Sequence, residues 1–448
     1  MTEPGVAGPG ATGPSGANGQ DASVPEAAVA PPSRLASLGD RVFKAFTYRD
    51  FRLLWLGACT SSIGSWVQSM AQAWLVYTLS KDPFYLGLDA FLGQAPIILF
   101  SLIGGVIADR RDRRQMLLIS QYTQITSASI LTVLFYFGLL HAQPGQSGLR
   151  TVWPILVLSF FTGMGQSLGG PAYSALLPTL VAKEDFANAI AWNSIQFNLA
   201  RIIGPTIAGV TLKYLSATWC FGINAASFLA VILSLHVINV GFIPERSTEP
   251  ILRSMKQGIT FIRTRTGLNS LIFLAFSLTL LAIPLMTFLP VFAKEVFNGD
   301  EITFTRLLIF SGAGSIGGAL MVAASGRMKR QGLIALLALT ALGLLIAGFS
   351  LSKYITLSSL LIFGCGAALM WVFSMVQSLV QAITAYEMRG RVMSVYNVAF
   401  RGGMPIGSLL FGKLIQYFTV SWTMAAAGSL MALMGLYLLL IHRRIAAL

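Results

Sequence analysis

Three charged residues lie well inside long apolar segments of the chain: Asp89, Arg201 and Arg401. A guanidinium group within a membrane costs at least about 2 to 3 kcal/mol unless it faces water or a partner. Two arginines facing one cavity would suit an anionic or carboxylate-bearing substrate, because each can form paired hydrogen bonds with it. The alternative is that each arginine donates hydrogen bonds to backbone carbonyls near Pro205 or Pro405 and has a purely structural role.

Asp89 is the only carboxylate within an apolar segment, about 8 Å from one end of its helix at a rise of about 1.5 Å per residue. A proton-coupled carrier needs a carboxyl group that takes up and releases a proton inside the membrane, and Asp89 fits that role. The alternative is an interfacial carboxylate that stays hydrated and ionised.

Amide and aromatic side chains recur near the middle of several apolar segments. Converging from facing helices, they would line an amphipathic pocket for a bulky, partly aromatic compound. Each of them could instead hold neighbouring helices together. The predicted substrate cavity comprises Trp66, Gln68, Gln72, Gln94, Gln166, Asn193, Asn198, Arg201, Gln377 and Arg401.

The sequence contains no residue pattern that indicates disulfide bonds, metal binding, use of ATP or hydrolysis. Cys59, Cys220 and Cys365 have unrelated spacings, so neither a disulfide framework nor a metal site is indicated. There is no phosphate-binding loop to use ATP, and no Ser/His/Asp or paired-carboxylate set placed for hydrolysis. We therefore expect no enzymatic activity, no cofactor and no metal.

The composition defines the class of protein. Of 448 residues, 55% are hydrophobic and only 11% are charged, which is typical of a polytopic membrane protein. The net charge of +14 resides in short loops beside apolar segments, so membrane topology explains it better than a nucleic-acid partner does. Residues 1–33 are rich in Gly, Pro, Ala and Ser, which predicts a disordered cytoplasmic tail.

Apolar runs separated by charged or Pro/Gly-containing breaks predict twelve membrane-spanning helices, each near the roughly 20 residues that cross a bilayer. With the N-terminus inside, 22 of the 31 Lys and Arg residues are cytoplasmic and 7 are external, so both termini are predicted to be cytoplasmic. The predicted bounds are 51–79, 84–108, 115–140, 152–178, 188–214, 218–240, 269–293, 303–326, 332–351, 355–380, 391–417 and 421–441.

The longest connection, residues 241–268, divides the spans into six and six. The two halves share landmarks: Arg201 and Pro205 recur 200 residues later, and Gly209, Tyr214 and Trp219 recur 203 residues later. Such duplication is typical of transporters, whose two halves rock about a site between them. The predicted fold is all-α, with two pseudo-symmetric six-helix bundles. Its parts are an interfacial segment (34–50), the bundles (51–240 and 269–441), the cytoplasmic linker (241–268) and a cytoplasmic C-terminus (442–448).

A charged loop carries a more specific signal between the second and third spans. It reads Gly105-x-x-x-Asp109-Arg110-x-x-Arg113-Arg114. With this loop, the first span around Trp66 to Tyr77 and the fifth span from Asn198 to Pro205, residues 48 to 441 resemble the major facilitator superfamily. Within it, they resemble the exporter branch of enterobactin-exporter-like, transmembrane secretion effector permeases.

The resemblance implies a gating role for the loop residues Gly105, Asp109, Arg110, Arg113 and Arg114. In the family this loop holds the two halves together on the cytoplasmic side when the cavity opens outward. The alternative is that these residues are only stop-transfer charges. The equivalent loop of the second half, Gly326 to Arg330, lacks the acidic residue, so a carboxylate-dependent latch would belong to the first half.

The leading expectation is a monomeric inner-membrane transporter that exports a small amphipathic compound, siderophore-like or drug, by alternating access driven by protons. A lipid or lysolipid translocase would share the fold and would be favoured by a lateral opening lined with apolar residues. A non-transporting sensor or scaffold would require a soluble signalling domain, and the tail and linker are too short to supply one.

Overall fold

The computed structural model describes residues 42–110, 112–140, 148–238, 251–324 and 330–440. Within these ranges it describes only the backbone of residues 101–110, 251–255 and 266. Secondary structure in these ranges is helical, without strands. The long helices are α1 (Arg49–Ser80), α2 (Pro83–Arg110), α3 (Arg113–Tyr136), α4 (Leu149–Leu176), α5 (Phe186–Tyr214), α6 (Ala217–Val237), α7 (Ile251–Thr264), α8 (Thr266–Thr287), α9 (Glu301–Ala324), α10 (Gln331–Leu351), α11 (Ile355–Ile383), α12 (Arg389–Tyr417) and α13 (Val420–Leu440).

Each predicted apolar span coincides with one of these helices, with ends that differ by a few residues. Within the described ranges, nine helices are long and apolar enough to cross a membrane. The helices α1, α5 and α12 are too polar to qualify on hydropathy alone. These three helices carry Gln68, Gln72, Arg201 and Arg401. The most polar of the predicted spans therefore hold most of the candidate site residues.

One helix was not predicted. The linker between the halves contains α7, which places apolar residues on one face and polar residues on the other. Gly258 of α7 lies against the backbone of Arg391 in α12, where a Cβ atom would come within 2.8 Å of the carbonyl oxygen. The linker is therefore attached to the second half along part of its length.

The helices pack mainly within their own half of the sequence. In the first half α1 packs on α5 and α6, and α4 packs on α2 and α3. In the second half α9 and α10 pack on α11, α10 on α13, and α8 on α12. Two further pairs join the halves: α2 packs on α12, and α5 packs on α9.

The segment before α1 is held against the start of α5. Lys44 Nζ lies 3.0 Å from Asp185 Oδ1, and the Tyr48 hydroxyl donates to Asp185 Oδ2 at 2.9 Å. The backbone N–H of Ala45 donates to Asn188 Oδ1 at 3.0 Å. The hydrogen bonds from Lys44 and then Tyr48 hold the pKa of Asp185 below its usual value, whereas the same contact raises the pKa of Lys44.

This contact predicts a pH-dependent contribution to stability. A carboxyl group with a lowered pKa in the folded state stabilises the fold above its unfolded pKa of about 3.9, and that stabilisation is lost as the pH falls through the lower folded value. We expect Lys44→Met to lower the midpoint of thermal unfolding in detergent at pH 6 and to have a smaller effect at pH 3. Equal effects at both pH values would contradict the assignment.

Candidate functional site

Asp89 lies in a hydrogen-bonded cluster between α1, α2 and α4. The Gln72 amide nitrogen of α1 is 2.9 Å from both Asp89 carboxylate oxygens and 2.8 Å from the Ser159 hydroxyl of α4. The Ser159 hydroxyl also donates to Asp89 Oδ1 at 2.5 Å. The predicted proton-coupling carboxylate is thus held by three helices of the first half.

The cluster continues as a chain of amides towards α6. Asn224 donates to Gln68 Oε1 at 2.7 Å, and the Gln68 amide nitrogen lies 3.4 Å from Gln72 Oε1. The Ser227 hydroxyl lies 3.2 Å from Asn224 Oδ1. Each amide directs its NH₂ group towards Asp89, because its oxygen is already taken by the preceding donor. Gln68 was predicted to line the cavity, and the structure buries it in this chain instead, with 6% of its surface exposed.

Arg201 lies where the two halves meet, between α1 and α9. Its guanidinium carbon is 5.8 Å from the Trp66 ring centroid, a cation–π distance. Gly204 of α5 permits the approach, because a Cβ atom there would come within 2.3 Å of the Trp66 Cβ atom, and Gly312 of α9 packs against Arg201 at ordinary van der Waals distance. In the described part of the chain no carboxylate or hydrogen-bond acceptor pairs with this guanidinium, which is therefore available to an anion.

Arg401 is exposed and lies on a definite face of α12. Residues 401, 408 and 412 are spaced by seven and four, which places them on one helical face. Ser408 and Gly412 on that face contact Gly87 of α2. The contact of Ser408 with Gly87 is through its backbone carbonyl, whereas its hydroxyl lies 3.2 Å from that of Thr287 in α8. Arg401 lies about two turns before these contacts on α12, and its place in the substrate cavity stays a prediction.

The remaining predicted amides are distributed differently. Asn193 accepts a hydrogen bond from the Tyr173 hydroxyl at 2.9 Å, and Asn198 donates to the Ser194 carbonyl of its own helix at 2.8 Å. Gln166 is exposed, whereas Gln94 and Gln377 are partly exposed. The structure thus joins Gln68, Gln72 and Asp89 in one network and leaves these other residues outside it.

The charged loop between α2 and α3 is described in part. Gly105, Asp109 and Arg110 belong to α2, but the side chains at 101–110 lie outside the described part of the chain. The gating contact of Asp109 therefore stays a prediction. Arg113 donates to the Ala175 carbonyl at 3.0 Å and Arg114 to the His236 carbonyl at 3.0 Å, near the ends of α4 and α6. These cations satisfy carbonyls that a helix end leaves open.

The two halves also meet through a set of contacts at the α1–α2 loop, here called the junction. A Cβ atom on Gly87 would come within 2.3 Å of the Ser408 carbonyl oxygen, so α2 and α12 touch backbone to backbone. Gln416 donates to both Asp82 oxygens at 2.8 and 2.9 Å. The Tyr77 hydroxyl hydrogen bonds to Glu295. No sequence pattern indicated these pairs.

The described residues offer no metal-binding site. In those residues, no group of three or more His, Cys, Asp or Glu side chains is placed to hold an ion. Cys59, Cys220 and Cys365 are buried, separate thiols.

Comparisons with known proteins agree with this architecture. Among solved structures, a bacterial homologue of the iron transporter ferroportin in an inward-facing state superposes with a TM-score of 0.68 at 15% identity, covering 89% of this chain and 99% of that one. The nucleoside transporter NupG superposes with a TM-score of 0.65 at 14% identity, covering 88% and 99%. The chain shares the fold of these two proteins.

Three relatives are efflux or siderophore transporters. Macrolide efflux protein A of Streptococcus pyogenes is 22% identical, covering 85% of this chain and 93% of that protein. The staphyloferrin A transporter of Staphylococcus aureus is 26% identical, covering 82% and 89%. The enterobactin exporter EntS of Shigella boydii is 25% identical, covering 88% and 92%.

The model of the transmembrane secretion effector family matches residues 41–446. The chain belongs to this family of major facilitator superfamily transporters, which are not enzymes.

Proposed function

We propose that this chain is a proton-coupled exporter of a small amphipathic compound that carries an anionic group. The observation that carries the proposal is the position of Arg201 beside Trp66 where the two halves meet, with no carboxylate partner among the described residues. An aromatic ring and a cation together suit a ligand with an apolar body and a carboxylate or other oxyanion. The named substrates of the relatives, macrolides and siderophores, are likewise small molecules.

The proposal includes two pseudo-symmetric six-helix bundles that cross the inner membrane, with both termini cytoplasmic. The contacts between halves support this symmetry. The second helix of the first half (α2) packs on the fifth of the second half (α12), and the fifth of the first (α5) packs on the second of the second (α9). A twofold axis that exchanges the halves converts one pair into the other, as expected for duplicated transporters.

Alternating access would then open and close the junction. In the proposed orientation the α1–α2 loop is external, so the junction closes the path to the outside while the substrate enters from the cytoplasm. Asp89 would exchange a proton once in each cycle. The charged loop, with Gly105, Asp109 and Arg110, would close the cytoplasmic side in the opposite state.

The test is reconstitution into liposomes with an imposed pH gradient. The probes are a macrolide, a catecholate siderophore, a carboxylate siderophore, a cationic dye and a lysolipid. Accumulation of an anionic probe, dependent on the gradient and abolished by a protonophore, is the expected result. Transport of the cationic dye alone, or no gradient dependence, would contradict the proposal.

A lysolipid is included because one feature favours a second function, lipid translocation. An entirely apolar groove of about 330 Å³ lies between α2 and α4, lined by Leu88, Leu92, Leu149, Trp153, Leu156, Val157 and Phe160. Such a groove fits an acyl chain by its chemistry. Lysolipid transport without transport of the siderophores would favour this second function.

Arg201 gives the proposal a residue-level prediction. Losing one charge-assisted hydrogen bond, worth about 1.5 to 3 kcal/mol, should raise the KM for an anionic substrate about 10- to 150-fold in Arg201→Gln. Arg201→Lys should recover part of the loss, because the charge remains but the forked geometry does not. The matched control is Arg265→Gln, since Arg265 is exposed and lies 5.7 Å from the Phe261 ring, outside the proposed cavity. Equal KM values in both variants would remove Arg201 from substrate binding.

A further inference from the structure

Ser159 has more hydrogen-bonding neighbours than its single hydroxyl hydrogen can serve. Its oxygen lies 2.5 Å from Asp89 Oδ1, 2.8 Å from the Gln72 amide nitrogen and 2.9 Å from the Ile155 carbonyl of its own helix. The side chain is buried, with 5% of its surface exposed. The sequence indicated nothing at this position, because a serine in a helix ordinarily bonds the carbonyl four residues earlier.

The arithmetic of donors and acceptors limits what Ser159 can do. A serine hydroxyl has one hydrogen and two lone pairs. Gln72 donates to one lone pair. The hydrogen can point to Asp89 or to the Ile155 carbonyl, but not to both. Two complete arrangements therefore exist without movement of any heavy atom.

We propose that Ser159 is the positioning residue that keeps Asp89 hydrogen-bonded both with and without its proton. When Asp89 is ionised, the Ser159 hydroxyl donates to Oδ1. When Asp89 is protonated, its O–H donates to the free lone pair of Ser159, whose own hydrogen rotates to the Ile155 carbonyl. The proton that Asp89 gains comes from water and returns to water, and Ser159 keeps its hydrogen throughout. This inference rests on the proposed proton-coupled function.

Gln72 can serve both states because its orientation is fixed. Its oxygen is directed towards Gln68, which is in turn fixed by Asn224. The amide NH₂ of Gln72 therefore faces Asp89 and Ser159 in either state. A change of protonation is met by rotation of one hydroxyl hydrogen, which is faster and less disruptive than reorienting a chain of amides.

Charged groups near Asp89 do not provide an alternative switch. The helices that pack on α2 contribute Gln72 and Ser159 to Asp89, and no charged side chain in the described ranges pairs with it. Among the described residues, none of the titratable side chains on those helices is hydrogen-bonded or ion-paired to Asp89: Arg49, Asp50, Arg52, Cys59 and Tyr77 on α1, Arg113, Arg114, Tyr122 and Tyr136 on α3, Arg150 and Tyr173 on α4, and Arg389, Arg391, Tyr396, Arg401, Lys413 and Tyr417 on α12, with none on α8.

The test measures protonation of Asp89 directly, so it does not depend on knowing the substrate. A hydrophobic carbodiimide adds to protonated carboxyl groups, and mass spectrometry of the full-length protein after digestion gives the pH midpoint of labelling at Asp89. Because a donor to the charged carboxylate contributes more than an acceptor for the neutral acid, Ser159→Ala should move this midpoint upward by about one pH unit. Ser159→Cys, with a weak donor, should behave in the same way.

Two comparisons separate a positioning role from simple packing. Ser159→Thr keeps the hydroxyl and should restore the midpoint of the unmodified chain. Ser127→Ala removes another buried serine of the first half, whose hydroxyl donates to the Thr123 carbonyl of its own helix α3, and should leave the midpoint unchanged. An unchanged midpoint in Ser159→Ala, or an equal shift in Ser127→Ala, would overturn the inference.

Failure of the inference and failure of the proposed function are distinguishable. If the unmodified chain transports no probe under a pH gradient, proton-coupled export fails whatever the labelling shows. If it does transport, the pH midpoint of transport should move upward in Ser159→Ala together with the labelling midpoint. Transport with an unmoved midpoint would leave the function standing and remove the role of Ser159.

Discussion

Replacing Asp89 with asparagine is expected to abolish uphill accumulation while leaving downhill movement of the substrate intact. Asparagine has nearly the same shape and can still accept hydrogen bonds from Gln72 and Ser159, but it cannot take up a proton. For each proton exchanged, a gradient of one pH unit sustains about a tenfold concentration ratio of substrate. In Asp89→Asn this ratio should fall to about one. The measurement is the steady-state substrate ratio across the membrane of proteoliposomes.

A matched control is Asp300→Asn. Asp300 accepts a hydrogen bond from the Thr303 backbone N–H at the start of α9, and asparagine caps helices equally well. Asp300→Asn should keep the tenfold ratio, which shows that loss of a carboxylate elsewhere has no such effect. Uphill accumulation that survives in Asp89→Asn would end the coupling role of this residue and the role of Ser159 with it.

Replacing Gly87 with valine is expected to hold the junction apart and to stop transport. The Cβ atom would meet the Ser408 carbonyl oxygen at 2.3 Å and its carbon at 3.0 Å, and a backbone group cannot rotate away as a side chain can. Overpacking of this kind costs about 1 to 3 kcal/mol, which shifts an equilibrium between joined and separated halves by about 5- to 150-fold.

The state of the junction can be measured by cross-linking. Cysteines introduced by Asp82→Cys and Gln416→Cys replace a pair whose side chains are in contact across the halves, and a short bifunctional thiol reagent should link them readily in a background whose three native cysteines are replaced by alanine. Adding Gly87→Val should slow this reaction about tenfold or more. Gly93→Val is the control, because Gly93 lies on the same helix with nothing within 4 Å of its Cβ position. Similar rates in both glycine variants would contradict a closed junction.

The helices were predictable because their cause is local. An apolar run of sufficient length between charged breaks forms a helix in a membrane, since every backbone group must be bonded within the segment. The polar helices α1, α5 and α12 would be missed by hydropathy alone, and they were predicted because charged or Pro/Gly-containing breaks delimit their apolar runs. The candidate site residues Asp89, Arg201 and Arg401 were singled out because a charge in an apolar run is itself a signal.

The partners of these residues were not predictable. Tyr77 and Glu295 are 218 positions apart and have no shared pattern, so only the folded chain brings them together. Ser159 is one of many helical serines, and its contact with Asp89 depends on the rotation of α4 against α2. The sequence also did not indicate which side of α1 faces the proposed cavity. Gln68 was therefore predicted to contact the substrate, whereas its amide oxygen accepts a hydrogen bond from Asn224.

The polar helices have a consequence for biosynthesis. The helices α1, α5 and α12, whose hydropathy alone does not mark them for insertion, are each followed after two residues by a more apolar helix: α2, α6 or α13. A segment that partitions weakly into lipid enters more readily when a strongly apolar neighbour enters with it. In the proposed twelve-span arrangement, both members of each hairpin would leave the ribosome before the first one enters the bilayer, and the short connections keep that interval brief.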